Sequence, residues 1–209
     1  MTIKFNKRQR RKIRKFLASF HGKEHTDLYN VFSAKAYLVS TDCQWKMLPT
    51  YYPRPTTVYC HFRRWSESNN MILFLRRLVR QRRRKTGRKQ NPSVAVVDSQ
   101  SVGSGYAQSQ KGVGDLMKDL HRYYPTISSV KADKGYQGID SSLNNIVVEC
   151  VKSNFGTSEF RPVSGRWVVE RTNAWPENYR RLCRNYERYL STARAMTYFA
   201  SILFMLRYG

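Results

Sequence analysis

Two short apolar runs, each ending on an aspartate, restrict the fold of this 209-residue chain more than any other feature. "VAVVD" (94–98) places four apolar residues in a row, without the alternation of a half-exposed strand, and so predicts a strand buried on both faces. "ISSVKADKGY" (127–136) predicts a second strand that stops at Asp133 before a Gly-containing turn, and "NNIVVECVKS" (144–153) a third. Between the first two, "DLMKDLHRYYP" (115–125) is helical and stopped by Pro125. Strand, helix, strand and strand at this spacing predict a small parallel or mixed sheet in an α/β layer. In such sheets the carboxyl ends of neighbouring strands converge on one edge, where ligands bind. Asp98 and Asp133 fall there. Paired carboxylates repel and raise each other's pKa unless a cation lies between them, and a hard divalent cation such as Mg²⁺ prefers such oxygen ligands. A third acid, Glu170, lies in "GRWVVERTNAW" on an amphipathic helix among large apolar neighbours. Taken singly, each acid has an ordinary use: a turn or cap for the aspartates, an i,i+4 pair with Arg166 for Glu170.

The front of the chain has another character. Residues 1–90 hold 23 Lys and Arg against four acids, whereas 91–209 hold 15 against ten, within a formal net charge of +24. Such an excess repels itself unless a polyanion is near, and nucleic acid is the commonest. This front half predicts four helices. "FNKRQRRKIRKFLASFHG" carries Ile13, Phe16, Leu17 and Phe20 on one face and is bounded by a capping Asn and a stopping Gly. "HTDLYNVFSAKAYLVST" follows, with Thr26 as the expected N-cap and Leu28, Val31, Phe32 and Leu38 as packing residues. After the Pro-rich "DCQWKMLPTYYPRP", a third helix sets Val58, Phe62 and Trp65 at helical spacing and carries Arg63 and Arg64 beside them. That arrangement resembles a helix-turn-helix unit, in which one helix enters the major groove. The fourth helix ends in a solid basic run, Arg82, Arg83, Arg84 and Lys85. Two domains are therefore expected: 1–90, helical and DNA-binding, and 91–209.

Four scattered cysteines, Cys43, Cys60, Cys150 and Cys183, lack the pairing of a zinc site and read as reduced core residues of a cytoplasmic protein. The four histidines read as packing or solvent residues. No signal-peptide pattern or 18-residue apolar run is present, which argues against export and membrane spanning. "AMTYFASILFML" is too short to span and reads as a core helix. The tail from Arg166 is expected to be helical in two pieces, with Ser191 capping the second.

Together, "VVDSQSV", "KADKGYQG" and "RWVVERTNAW" resemble, in order, the three acidic motifs of DDE insertion-sequence transposases of the insertion-sequence-five type, in the IS4-like superfamily. "DCQWKMLP" with "VYCHFRRWSE", and the tail "YRRLCRNYE…AMTYFASILFMLR", resemble that family's N-terminal region and closing helices. The resemblance implies an RNase H-like core whose catalytic and metal-binding triad is Asp98, Asp133 and Glu170. It implies two Mg²⁺ ions that activate water to cut DNA at the element's end and then assist strand transfer. The partners implied are the element's terminal inverted repeats and target DNA, bound through Arg63, Arg64, Arg82, Arg83, Arg84, Lys85 and Arg166. An active homodimer beside a bacterial nucleoid, and no membrane, are implied as well. Val163 and Glu177 stand where the wider superfamily places a Tyr and a Lys around the last acid.

The same resemblance implies a loss. Family members follow the first acidic strand with an antiparallel hairpin, but here a Ser, Gly and Gln-rich stretch leads directly to the next helix. The expectation is a truncated RNase H-like sheet of three strands with flanking helices, lacking the second and third strands through an internal deletion. Loss of that hairpin turns a central strand into an edge. Pro176 would further kink the Glu170 helix. Two alternatives carry no catalysis: a DNA-binding remnant that occupies element ends or interferes with a full-length transposase, and a basic RNA-binding protein.

Overall fold

A computed structural model of the chain describes residues 3–20, 26–97, 113–132, 146–150, 179–183, 186–187 and 189–208. The chain divides into two compact units: residues 1–87 with 175–209, and residues 88–174.

In the first unit the described elements are helical. Helix α1 (Lys7–Leu17) opens with a reciprocal capping box: the Asn6 side chain accepts from the Gln9 N–H at 2.9 Å, and the Gln9 side chain accepts from the Asn6 N–H at 2.7 Å. Helix α2 (Leu28–Thr41) is capped by Asp27, whose carboxylate accepts from the Tyr29 N–H at 2.9 Å. The cap is thus one residue later than Thr26. It closes at Asp42, in the left-handed conformation that Asp tolerates better than most residues. A 3₁₀ turn (Trp45–Met47) leads to α3 (Pro55–Glu67), which has Pro at its first position, where no N–H is needed. Helix α4 (Asn70–Lys85) is capped by Thr86 and followed by Gly87, whose positive φ of 70° suits glycine. Two further helices, α6 (Arg180–Cys183) and α7 (Leu190–Tyr208), complete the unit.

Aromatic side chains from five of these helices form one core. Phe16 of α1 stacks on Phe74 of α4 at 4.4 Å. Phe32 of α2 lies 4.8 Å from Phe199 of α7 and 6.4 Å from Trp65 of α3. Val58, Phe62 and Trp65 of α3 are buried, as their spacing predicts. Helix α7 places Ala195, Met196, Phe199, Ala200, Ile202, Leu203 and Leu206 in the same core. The chain's end therefore belongs with its beginning, whereas a single boundary near residue 90 assigns it to the other half. The reason is amphipathic complementarity: helices α1 to α4 leave a shared apolar face, and α7 fills it. Polar ties join the same surfaces, with Gln9 Nε2 donating to the Leu206 carbonyl at 3.0 Å and Arg181 pairing with Asp42 at 3.2 Å. Ser191 lies inside α7, so it does not cap it; the Ala193 N–H instead donates to the Tyr189 carbonyl at 3.0 Å.

The second unit holds the sheet. Strands β1 (Val94–Val97), β2 (Ser129–Ala132) and β3 (Val147–Cys150) lie in that order, and both pairings are parallel. Helix α5 (Val113–Tyr123) belongs to the crossover between β1 and β2. One sheet face, with Val130 and Ala132 fully or nearly buried, packs with Met117, Ile127 and Ile146. On the opposite face Val94, Val96 and Val147 are exposed. Among the described strands β1 lies at one edge of the sheet, with Val94 and Val96 exposed on one face, and the expectation of burial on both faces is corrected. Its apolar run is continuous because small Ala95 and Val97 pack inward while Val94 and Val96 point out.

The cysteine expectation is corrected too. Cys60 and Cys183 are exposed and Cys43 is half-buried, because Cys60 falls on the outer face of α3, away from Val58, Phe62 and Trp65. Among the histidines, His61 is buried against Trp65 and His121 is exposed. Among the described residues no helix is long and apolar enough to cross a membrane.

Candidate strand-end site and nucleic-acid interface

The parallel register sets the geometry of the strand ends. Val94 pairs with Ser129, Ala95 with Val130, Val96 with Lys131 and Val97 with Ala132. The register continues from Ala132 to Cys150 on β3. The last described residues of the three strands, Val97, Ala132 and Cys150, are thus register partners. Hydrogen bonds fix the opposite ends: the Ser128 N–H donates to the Ser93 carbonyl at 2.9 Å, and the Thr126 hydroxyl donates to the Pro92 carbonyl at 2.8 Å. Asp98 follows Val97 and Asp133 follows Ala132, so each comes one peptide bond after a register partner. Asp98, Asp133, Glu170 and Arg166 themselves lie outside the described residues, as do Val163, Pro176 and Glu177. Among the described residues no group of three or more His, Cys, Asp and Glu is placed to hold a metal ion.

The basic residues of the helical unit fall on its surface. Arg63 and Arg64 are exposed on α3, and Arg63 Nε pairs with Glu67 at 3.2 Å across one helical turn. That pair is well exposed, contributes about 0.3–0.5 kcal/mol at most, and partly neutralises the face that sequence points toward a groove. Arg82, Arg84 and Lys85 are exposed at the end of α4, and Arg83 is half-buried. The Lys85 pKa is lowered by slight desolvation, then by the charges of Arg8 and Arg82. Arg8 lies on α1, a helix whose basic residues the sequence marks as a group without singling any out. The signal was its composition, "KRQRRKIRK", but only the fold brings it beside the end of α4.

Residues 8–72 match a family model described as "Putative transposase of IS4/5 family (DUF4096)". The matched span runs from the first turn of α1 into the first turn of α4, and ends ahead of all three acidic motifs. No curated protein and no solved structure matches the chain.

Proposed function

We propose that this chain is a DDE-type transposase by descent, in which the helical unit binds the ends of an insertion sequence and the sheet unit carries a weakened site for DNA strand cleavage and transfer. The observation that supports this reading is the register of β1 and β2, in which Val97 and Ala132, the residues just ahead of Asp98 and Asp133 in sequence, are partners. Neighbouring strands run about 4.8 Å apart, so residues that follow register partners can share one cation. Two carboxylates at such a pair of positions suit Mg²⁺, and Glu170 supplies the third ligand. When bound, a pair of Mg²⁺ ions supplies water activation and charge stabilisation in an in-line displacement at phosphorus. The protein's own share is to hold the three carboxylates at one sheet edge and to keep the substrate's phosphates against basic side chains, among them Arg166 on the Glu170 segment.

The sheet also supports the weakening. An RNase H-like sheet that has lost its antiparallel hairpin leaves its first strand at the edge, followed by two parallel neighbours. The order β1-β2-β3, all parallel, with Val94 and Val96 exposed on the edge strand, fits that remainder. The exposed apolar face of Val94, Val96 and Val147 favours a second reading, in which the chain binds element ends without cutting them.

Incubation of the purified protein with terminal-repeat DNA and Mg²⁺ tests the first reading against the second. The expected outcome is slow, metal-dependent cleavage at the element end, abolished by Asp98→Asn and by Asp133→Asn. Binding of the same DNA with no metal-dependent cleavage at any protein concentration establishes the second reading instead.

A further inference from the structure

The register of the sheet assigns side chains to faces as well as to levels. Side chains alternate along a strand, so Val94 and Val96 of β1 share one face with Ser129 and Lys131 of β2 and with Val147 and Glu149 of β3. Burial agrees with that division. Val94, Val96, Val147 and Glu149 are exposed, whereas Val130 and Ala132, on the other face, are buried. Among the described strands Lys131 sits at the centre of the exposed face. It is half-buried on the middle strand, with Val96 as its register partner on one side and Glu149 on the other.

Such a lysine has an ordinary use. Opposite charges on neighbouring strands attract, so Lys131 and Glu149 are suited to a cross-strand pair. Their place in the chain adds a second use. Asp98 is two residues on from Val96, and Asp133 is two residues on from Lys131. Two residues are one period of a strand, about 7 Å. A carboxylate pair that holds a divalent cation draws DNA phosphates to the same place, and an ammonium on a flexible four-carbon stem reaches about that far.

We infer that the proposed site lies on the exposed face of the sheet, with Asp98 and Asp133 on the side of Val96 and Lys131, and that the Lys131 ammonium holds a phosphate oxygen of bound DNA beside the metal. The inference deepens the reading that Asp98 and Asp133 share a divalent cation, and rests on it. Lys131 then has two opposed effects. It attracts the polyanion, and it repels the metal while no DNA is bound. Glu149, one strand over on the same face, acts in the opposite sense on both.

Those opposed signs are the test. Mn²⁺ alone is titrated into the full chain and followed by water relaxation; a short duplex DNA is then titrated into the Mn²⁺-loaded protein and followed by fluorescence anisotropy. Lys131→Gln is expected to bind Mn²⁺ about three- to sevenfold more tightly, because a positive charge about 7 Å away is gone. The same variant is expected to bind the duplex about fivefold more weakly at about 0.15 M salt, the worth of one counterion-releasing contact. Glu149→Gln is expected to shift both affinities the other way, and Lys131→Arg, which keeps the charge, to leave both near wild type. Damage to sheet packing weakens both ligands together and does not give this crossed pattern. Unchanged Mn²⁺ affinity in Lys131→Gln, or a fall in both affinities, overturns the inference and leaves Lys131 as a cross-strand partner. Tighter Mn²⁺ binding with unchanged duplex binding overturns the phosphate contact. Wild-type protein that binds no Mn²⁺ overturns instead the shared cation on which the inference rests.

Discussion

Lys35 sits on α2 between Ala34 and Ala36, fully buried, with Nζ 3.3 Å from the centroid of Phe62 and 4.3 Å from that of Trp45. Its amine has no hydrogen-bond partner among the described residues. Burial drives its pKa well below the ordinary value, Glu187 opposes that shift, and Arg181 adds to it. The unfolded chain therefore holds a proton that the folded chain resists, from the lowered pKa up to about 10.5. Across that window stability rises with pH, at up to about 1.4 kcal/mol per pH unit from this residue. Replacing the amine by a thioether of similar length removes both the unsatisfied group and the slope. Lys35→Met is expected to be more stable than wild type near neutral pH by about 1–3 kcal/mol, and the gap should shrink as pH rises. Urea unfolding at several pH values below 10 measures it. The upper limit matters because burial raises the Tyr179 pKa to about 12, so above pH 10 the unfolded state loses a proton that the folded state keeps, and stability falls. Nothing in "SAKAYLV" marks Lys35 as interior: what hides it is Phe62 on another helix and Trp45 on a turn.

At the scale of the element, helix boundaries follow local chemistry closely. Asn6 and Gln9, Pro55, and Gly87 each act where their backbone preferences predict. The misplaced cap at Thr26 shows the limit, since Thr26 and Asp27 are both competent and only the path of the chain selects between them. Partnership is less legible than type. Periodicity identifies α7 as an apolar helix, but its site of packing depends on the grooves left by α1 to α4. A direct check is Phe199→Ala, which removes a fully buried ring 4.8 Å from Phe32. The expected cost to the helical unit is about 3–5 kcal/mol. Leu190→Ala, at the exposed start of the same helix, is expected to change stability by less than about 0.5 kcal/mol. Equal effects in urea unfolding followed by far-ultraviolet circular dichroism would mean that α7 does not pack as described. Strand β1 teaches a similar lesson: four apolar residues in a row define a strand, but whether one face or both are covered depends on how many neighbours the sheet has.

At the scale of the molecule, charge and topology carry separate functions. The basic excess is concentrated before residue 90, on helices that share one aromatic core with the chain's end. The second unit holds a parallel sheet in whose first two strands Val97 and Ala132 are partners. Sequence pattern alone placed an acid after each strand. That the residues just ahead of the two aspartates are partners required the register, and Glu170 lies outside the described residues. The central claim is that Asp98 and Asp133 share a divalent cation. Titration of the purified protein with Mn²⁺, followed by the ion's paramagnetic effect on water relaxation, tests it without any need for DNA or turnover. Saturable binding that is lost in Asp98→Asn and in Asp133→Asn alike is expected; binding unchanged in both variants, or none in the wild type, would contradict a shared cation.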